Sequence, residues 1–296
     1  MYKYIVAFLF LPLFLCAEDS DIFMDSESPS GYTLTQGVLQ ASTYFNYINL
    51  DLANALGAGI DENKAKGVGE YQEKGGQVWF GLTDRVTVDF KFSLTDFEYK
   101  DKTANVSNQE LRVKRLLVQD NPYIGYLSIE GGWKRHNTNK ITSAGIIQNN
   151  LTNVLHDHGW SVRFQHTKPF SVFNFNTRLG YHKYPKDGDG GQTVLEYVVG
   201  LSKFWNNKNQ IELFLQRYDI DRNSPRFSSN TSENTSFYVS YMRQFNPKWA
   251  FNIKAQYYEN LFRGAWPYMD REVSNLNISR YGFFTIGFKY RFNYSY

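Results

Sequence analysis

The chain ends in a run that places Phe288, Tyr290, Phe292, Tyr294 and Tyr296 at every second position, with Lys289, Arg291 and Asn293 between them. A period of two marks a strand with two unlike faces. The same pattern recurs upstream. Residues 170–183 set Phe173, Phe175, Leu179 and Tyr181 against Asn174, Asn176 and Arg178. Residues 248–262 set Trp249, Phe251, Ile253 and Ala255 against Asn252, Lys254 and Gln256. Residues 85–94 set Val86, Val88, Phe90 and Phe92 against Arg85, Asp89 and Lys91. From Tyr32 onward the rhythm predicts twelve strands: 36–49, 75–82, 85–99, 109–119, 123–135, 158–168, 170–183, 193–205, 210–220, 235–245, 248–262 and 280–296. Segments 109–119 and 210–220 alternate poorly, so the pattern fixes their limits least.

The connections sort into two kinds. Every second one is tight and made of turn-forming residues: Thr83-Asp84, Asn121-Pro122, Lys168-Pro169, 206–209 and Asn246-Pro247. Proline there sets φ and cannot donate into a ladder. The intervening connections, 50–74, 100–108, 136–157, 184–192, 221–234 and 263–279, are longer and polar. A soluble sandwich has no reason to separate its loops in this way. Several of the strands are also long enough to cross a bilayer at a tilt, which takes about 9–11 residues.

Aromatic positions running to the last residue, together with this hairpin rhythm, resemble bacterial outer-membrane β-barrel proteins. Their closing strand typically ends in Phe, Tyr or Trp. The resemblance implies an all-β fold: a closed antiparallel transmembrane β-barrel of about twelve strands, with short periplasmic turns and longer extracellular loops. It implies an address in the outer membrane of a Gram-negative bacterium. It also makes Phe288, Tyr290, Phe292, Tyr294 and Tyr296 the expected signal for the β-barrel insertion machinery, with outer-membrane lipids as surroundings. It is specific for the class and for no subfamily.

The N-terminus points to the same compartment. Lys3 precedes an apolar stretch from Ile5 to Leu15, then Cys16, Ala17 and the acidic Glu18 and Asp19. Residues 1–17 read as a secretory signal peptide cleaved after Ala17. Leu15 occupies the position where a lipid-anchored cysteine requires a small residue, so the anchor reading is disfavoured. Cleavage leaves no cysteine, since the chain has only one, and this excludes disulfides and thiolate metal sites. The acidic, Ser-rich residues 18–31 read as a mobile periplasmic lead-in, and residues 32–296 as the barrel domain. Mean hydropathy is −0.49 although 18% of residues are aromatic. A barrel in lipid needs only alternate residues apolar, which reconciles the two numbers.

Alternation also assigns charges to the interior, because Lys or Arg facing lipid at the midplane costs about 2–4 kcal/mol. The expected lumen row is Arg85, Asp89, Lys91, Arg112, Lys114, Glu130, Lys134, Arg163, Arg178, Glu196, Glu212, Lys254, Lys289 and Arg291. Basic groups predominate, so the interior field should favour anions. The same charges could instead satisfy one another and fill the bore. The expected role is a narrow channel or binding protein for small solutes, anions preferred. The alternatives are a lipid-modifying hydrolase with a rim site and a plugged structural or assembly-accessory barrel. No cofactor is implied. Nucleic acid is not an expected partner, because the basic residues are dispersed through alternating strands.

Histidine placement is the remaining oddity. With Lys168-Pro169 as the turn, His156 falls opposite a residue near His182. His136, His156, His158 and His182 would then gather at the outer rim beside Asp157, a ligand set suited to Zn²⁺ or Cu²⁺. The plainer reading is a polar, histidine-containing rim. For the hydrolase, His156 or His158 would serve as base and Ser143, Thr152 or Ser161 as hydroxyl. No Ser adjoins a His in a recognisable nucleophile pattern. Asp219, Asp221 and His182 do not reproduce the paired acids of omptin-type proteases.

Overall fold

The computed structural model describes residues 23, 28–48, 68–99, 102–141, 158–185, 192–206, 208–222, 233–258 and 281–293. Among them are twelve strands: β1 (Val38–Ile48), β2 (Val68–Thr83), β3 (Val86–Tyr99), β4 (Lys102–Asn121), β5 (Gly125–Ile141), β6 (His158–Pro169), β7 (Asn174–Tyr184), β8 (Gln192–Trp205), β9 (Asn209–Arg222), β10 (Glu233–Asn246), β11 (Trp249–Tyr258) and β12 (Tyr281–Asn293). Each pairs antiparallel with its sequence neighbours, and β1 pairs with β12 as well as with β2. The sheet is therefore a closed barrel with no free edge.

Closure makes residue parity decide between inside and outside. On β6, Ser161, Arg163, Gln165 and Thr167 are buried, while Trp160 and Phe164 are exposed. On β12, Thr285, Lys289 and Arg291 are buried and Ile286, Phe288 and Phe292 are exposed. The exposed set forms an apolar belt around the barrel, including Phe80, Phe90, Val113, Trp133, Leu179, Val199, Leu215 and Phe237. Outward basic residues bound the belt. Lys74, Arg135 and Arg217 lie towards the long-loop end, and Arg115 and Arg243 towards the short-turn end, all exposed. Aromatic pairs sit at its margins, Trp160 with Tyr181 at 5.4 Å and Trp249 with Tyr290 at 4.4 Å. Amphipathic rings at the two borders of an apolar band are what a hydrocarbon slab flanked by headgroups selects.

The short turns are set by local chemistry. Asn121 Oδ1 accepts from the backbone N–H groups of Tyr123 (2.9 Å) and Ile124 (3.0 Å). Asn246 Oδ1 does the same for Lys248 (2.9 Å) and Trp249 (3.0 Å). Each Asn-Pro pair thus forms an Asx turn, with proline in the place where no donor is needed. Gly125 follows the first of these with φ at +83°, and a Cβ there would stand 2.3 Å from the Thr167 carbonyl oxygen.

Two expectations need correction. Several strands outrun the pattern: β4 has 20 residues and β5 17, more than a membrane crossing uses. The β6–β7 connection is not Lys168-Pro169. It spans 170–173, with the Phe170 N–H bonded to the Phe173 carbonyl at 2.8 Å, so the register brings Ser161, not a residue near 156, opposite His182. The poor alternation of 109–119 has its cause in a register shift between Leu116 and Val118. In 210–220, the apolar Phe214 faces inward and packs on Tyr238 at 4.9 Å.

Phe90→Arg puts a guanidinium in the apolar belt and is expected to cost about 2–4 kcal/mol in urea-dependent refolding into lipid vesicles. A cost near zero would mean that Phe90 does not face hydrocarbon.

Candidate functional site: the barrel interior

The interior is electrostatically lopsided. On the wall built by β3 to β9, charges neutralise one another. Arg112 donates to Asp89 at 2.9 Å, and Arg163 bridges Glu130 at 2.8 Å and Glu196 at 3.2 Å. Arg178 reaches Glu196 at 2.7 Å, and His182 Nε2 lies 3.0 Å from the same carboxylate. Lys134 lies 3.4 Å from Glu110. Glutamines complete the web, with Gln165 donating to Glu130 (3.1 Å) and Gln216 to Glu196 (2.8 Å). Gly180 makes room for it: a Cβ there would sit 2.7 Å from Glu196 Oε2. Desolvated charges with this many partners form a fixed scaffold, because each ion lost leaves others uncompensated.

The opposite wall is different. One register row runs Lys289, Ser42, Gln77, Lys91 across β12, β1, β2 and β3. Beside it, with Lys254 of β11, lies a small recess open to the barrel interior. Lys91, Lys254 and Lys289 line it together with Tyr44 and Asn252, and no Asp or Glu is among its lining residues. The Lys91 ammonium lies 5.0 Å from the Tyr44 ring centroid, and Lys254 lies 5.3 Å from that of Tyr238. Tyr44 can lie flat because its register partner is Gly75, where a Cβ would stand 2.3 Å from the ring.

Phe23 and residues 28–34 lie across the short-turn end of this interior. Phe23 is 2% exposed and packs with Met242, Ala250 and Phe204, beneath the Arg291 guanidinium at 4.3 Å. Ser28 Oγ donates to Glu212 at 2.8 Å, and the Gly31 N–H to Thr167 Oγ1 at 2.9 Å. Lys114 Nζ donates to the Ser30 carbonyl. The Leu34 N–H reaches Thr87 Oγ1 at 2.8 Å. Of residues 18–31, read as a lead-in, Phe23 and 28–31 are described, and these are seated inside the barrel. A small gap remains beside them, lined by Tyr32, Asn176 and Glu212 among others.

Of the residues expected in the lumen, Asp89, Lys91, Arg112, Lys114, Glu130, Lys134, Arg163, Arg178, Glu196, Glu212, Lys254, Lys289 and Arg291 point inward. Arg85 does not; it sits exposed in the β2–β3 turn. The pattern missed Glu110 and the inward-facing glutamines Gln40, Gln77, Gln165, Gln216 and Gln256. Glu110 shares the parity of Arg112 and Lys114, which was the available signal. The rim histidine cluster does not assemble from the described residues. His158 is exposed on the outer face and His182 buried within, so the wall stands between them. His156 and the His136 side chain lie outside the described residues. Ser143 and Thr152 do as well. Ser161 faces the lumen beside His182, yet Ser161 Oγ and His182 Nδ1 are both without hydrogen-bond partners, so the Ser–His bond that a nucleophile needs is not made. Asp219 faces outward, away from His182. Of the insertion-signal residues, Phe288, Tyr290 and Phe292 lie on the outer face of β12, and Tyr294 and Tyr296 fall outside the described residues.

Glu196→Gln is expected to destabilise the barrel by about 3–5 kcal/mol, since Arg163 and Arg178 would lose their shared counter-charge. The check is the temperature at which the fast-migrating folded band on a gel is lost. An unchanged temperature would mean the network is not structural.

No family model matches the chain, and no curated protein matches it in sequence. Solved structures do. The NanC porin is 10% identical with a TM-score of 0.53, covering 84% of this chain and 98% of that one. An outer membrane channel from Pseudomonas putida F1 is 9% identical with a TM-score of 0.55, covering 92% of this chain and 100% of that one. At such identity the likeness is one of fold. This chain has the closed twelve-stranded β-barrel fold found in outer-membrane channel proteins.

Proposed function

We propose that this protein is a narrow outer-membrane channel for small solutes, with a preference for anions. The observation that carries the reading is the division of the interior. Basic and acidic groups are paired along β3 to β9, while the recess beside β11, β12, β1, β2 and β3 is lined by three lysines and no carboxylate. A solute passing there meets a net positive field in a low-dielectric bore, which raises the local concentration of anions. The fold neighbours named as a porin and a channel support passage as the role of such a barrel.

In this reading residues 1–17 export the chain, the insertion machinery recognises the aromatic series from Phe288 to Tyr296, and outer-membrane lipids hold the apolar belt. Phe23 and residues 28–34 narrow the short-turn mouth in this reading, so they set the bore without closing off the basic wall.

Single-channel recording in planar bilayers tests both parts. The mature chain is expected to conduct with a reversal potential shifted towards anion selectivity in a salt gradient, and removal of residues 18–33 to raise its conductance at least about twofold. Cation preference, or no conductance from either chain, would overturn the proposal.

A further inference from the structure

The outer wall of β5, β6 and β7 combines two features towards its long-loop end. The first is charge. Arg135 and His158 are register partners, and Trp160 and Lys183 are partners one level nearer the belt. Arg135, His158 and Trp160 are exposed, and Lys183 shares the outward parity of Tyr181. The Arg135 and Lys183 backbones stand two strand spacings apart, about 10 Å across the sheet, with β6 between them. Lys183 Nζ donates to Thr193 Oγ1 at 3.1 Å, a neutral hydroxyl. The flanking strands offer Gln109 opposite Arg135 and Thr193 opposite Lys183. Among the described residues, no carboxylate faces outward at this end of β4 to β8. On β9 the outward Arg217 is already met, by Asp219 at 2.8 Å and Glu233 at 2.7 Å.

The second feature is the shape of the apolar wall below. Trp133 and Trp160 are register partners, both exposed. Two residues beneath Trp133, Gly131 faces outward between its register partners Val113 and Val162. A Cβ at Gly131 would meet no atom within 4 Å, so the belt has a notch there. Glycine weakens a strand interior and often marks a place where another molecule comes close.

From this arrangement we infer that the outer wall of β5 to β7 is a docking site for an anionic lipid of the long-loop leaflet. The headgroup it fits is a phosphate with no cation of its own. Arg135 offers a planar fork of donors matched to two phosphate oxygens. Lys183 adds a second charge from the other side, its stem lying along apolar surface while its head reaches the headgroup layer. His158 between them has an N–H to donate in either protonation state. Below the phosphate, Trp133 and Trp160 border the acyl region, and the notch over Gly131 takes one acyl chain against the wall. A lipid bearing a quaternary ammonium gains less here, because its phosphate is already neutralised within the headgroup. Free phosphate makes the charge contacts alone and buries no apolar surface. The site lies on the lipid side of the wall, so it does not depend on passage through the bore.

Tryptophan quenching by brominated acyl chains tests the site. The protein is reconstituted in phosphatidylcholine vesicles containing a rising fraction of brominated phosphatidic acid, whose headgroup is a bare phosphate. Vesicles with brominated phosphatidylcholine at the same fractions give the reference. The wild type is expected to take phosphatidic acid over phosphatidylcholine at least about threefold. The Arg135→Gln, Lys183→Gln double variant is expected to lose that preference. A Lys74→Gln, Arg115→Gln double variant removes the same charge from other outward positions and is expected to keep it. Gly131→Leu fills the notch, leaves the charges, and is expected to lower the preference at least about twofold. Added inorganic phosphate is expected not to reverse the quenching. Heat-modifiable gel migration reports folding. If the first double variant does not fold, Arg135→Gln and Lys183→Gln are measured singly, each expected to weaken the preference. Equal uptake of both lipids by the wild type, or a preference retained without Arg135 and Lys183, would overturn the inference. So would an equal loss in the Lys74, Arg115 pair, no effect of Gly131→Leu, or reversal by free phosphate.

Discussion

The pairing of β1 with β12 is the interaction on which the rest depends. In hydrocarbon an unpaired backbone N–H or C=O costs several kcal/mol, and a sheet avoids that cost at its edges only by closing on itself. Register partners run without a break from Val38 with Asn293 to Tyr47 with Phe284. Once the ring is closed, every strand has one face to lipid and one to the interior, and the sequence must alternate accordingly. The apolar belt, the aromatic margins and the buried charges are three consequences of that single constraint.

Closure also brings charges together that lie far apart in the chain. Arg163 meets Glu130 and Glu196, from strands before and after its own, because inward positions at one level converge. Filling one wall with a neutral network costs desolvation but yields rigidity, since each carboxylate serves more than one cation. Glu196 alone takes Arg163, Arg178, His182 and Gln216. On the other wall, Lys91, Lys254 and Lys289 line one recess that has no carboxylate in its lining. The N-terminal segment adds a second level of organisation by using Phe23, Ser28 and Gly31 to span the short-turn mouth.

The fold was legible because its signals are local. Period-two alternation located the strands, and Asn-Pro turns located the hairpin ends, where the side-chain oxygen of Asn121 or Asn246 does the capping. What failed to show depends on partners elsewhere in the chain. Phe170 and Phe173 look like the start of a strand but pack against each other in a turn, with tilted rings 5.1 Å apart. Tyr44 and Phe214 can face inward because Gly75 and Gly200 lie opposite them. Nothing in their own segments says so. The seat for Phe23, between Met242, Ala250 and Phe204, exists only after the barrel has closed. Composition reads residues 18–31 only as a mobile periplasmic lead-in and holds no sign of that seat. The interior charges were readable by parity, Glu110 included, since it alternates in step with Arg112 and Lys114; Arg85 departed from it by running out into a turn. The division of the lumen into a paired and a basic wall was not readable, because it depends on which inward charges meet.

Closure itself is the most direct thing to measure. Thr43 and Phe288 are register partners across the β1–β12 seam, at a separation a disulfide can span. With Cys16 replaced and cysteines placed at 43 and 288, mild oxidation of the protein folded in lipid vesicles should give an intramolecular cross-link. A pair at 43 and 284, displaced by four residues, should give little. Cross-linking of the displaced pair, or of neither, would mean that the sheet does not close in this register, and the assignment of inside and outside would fall with it.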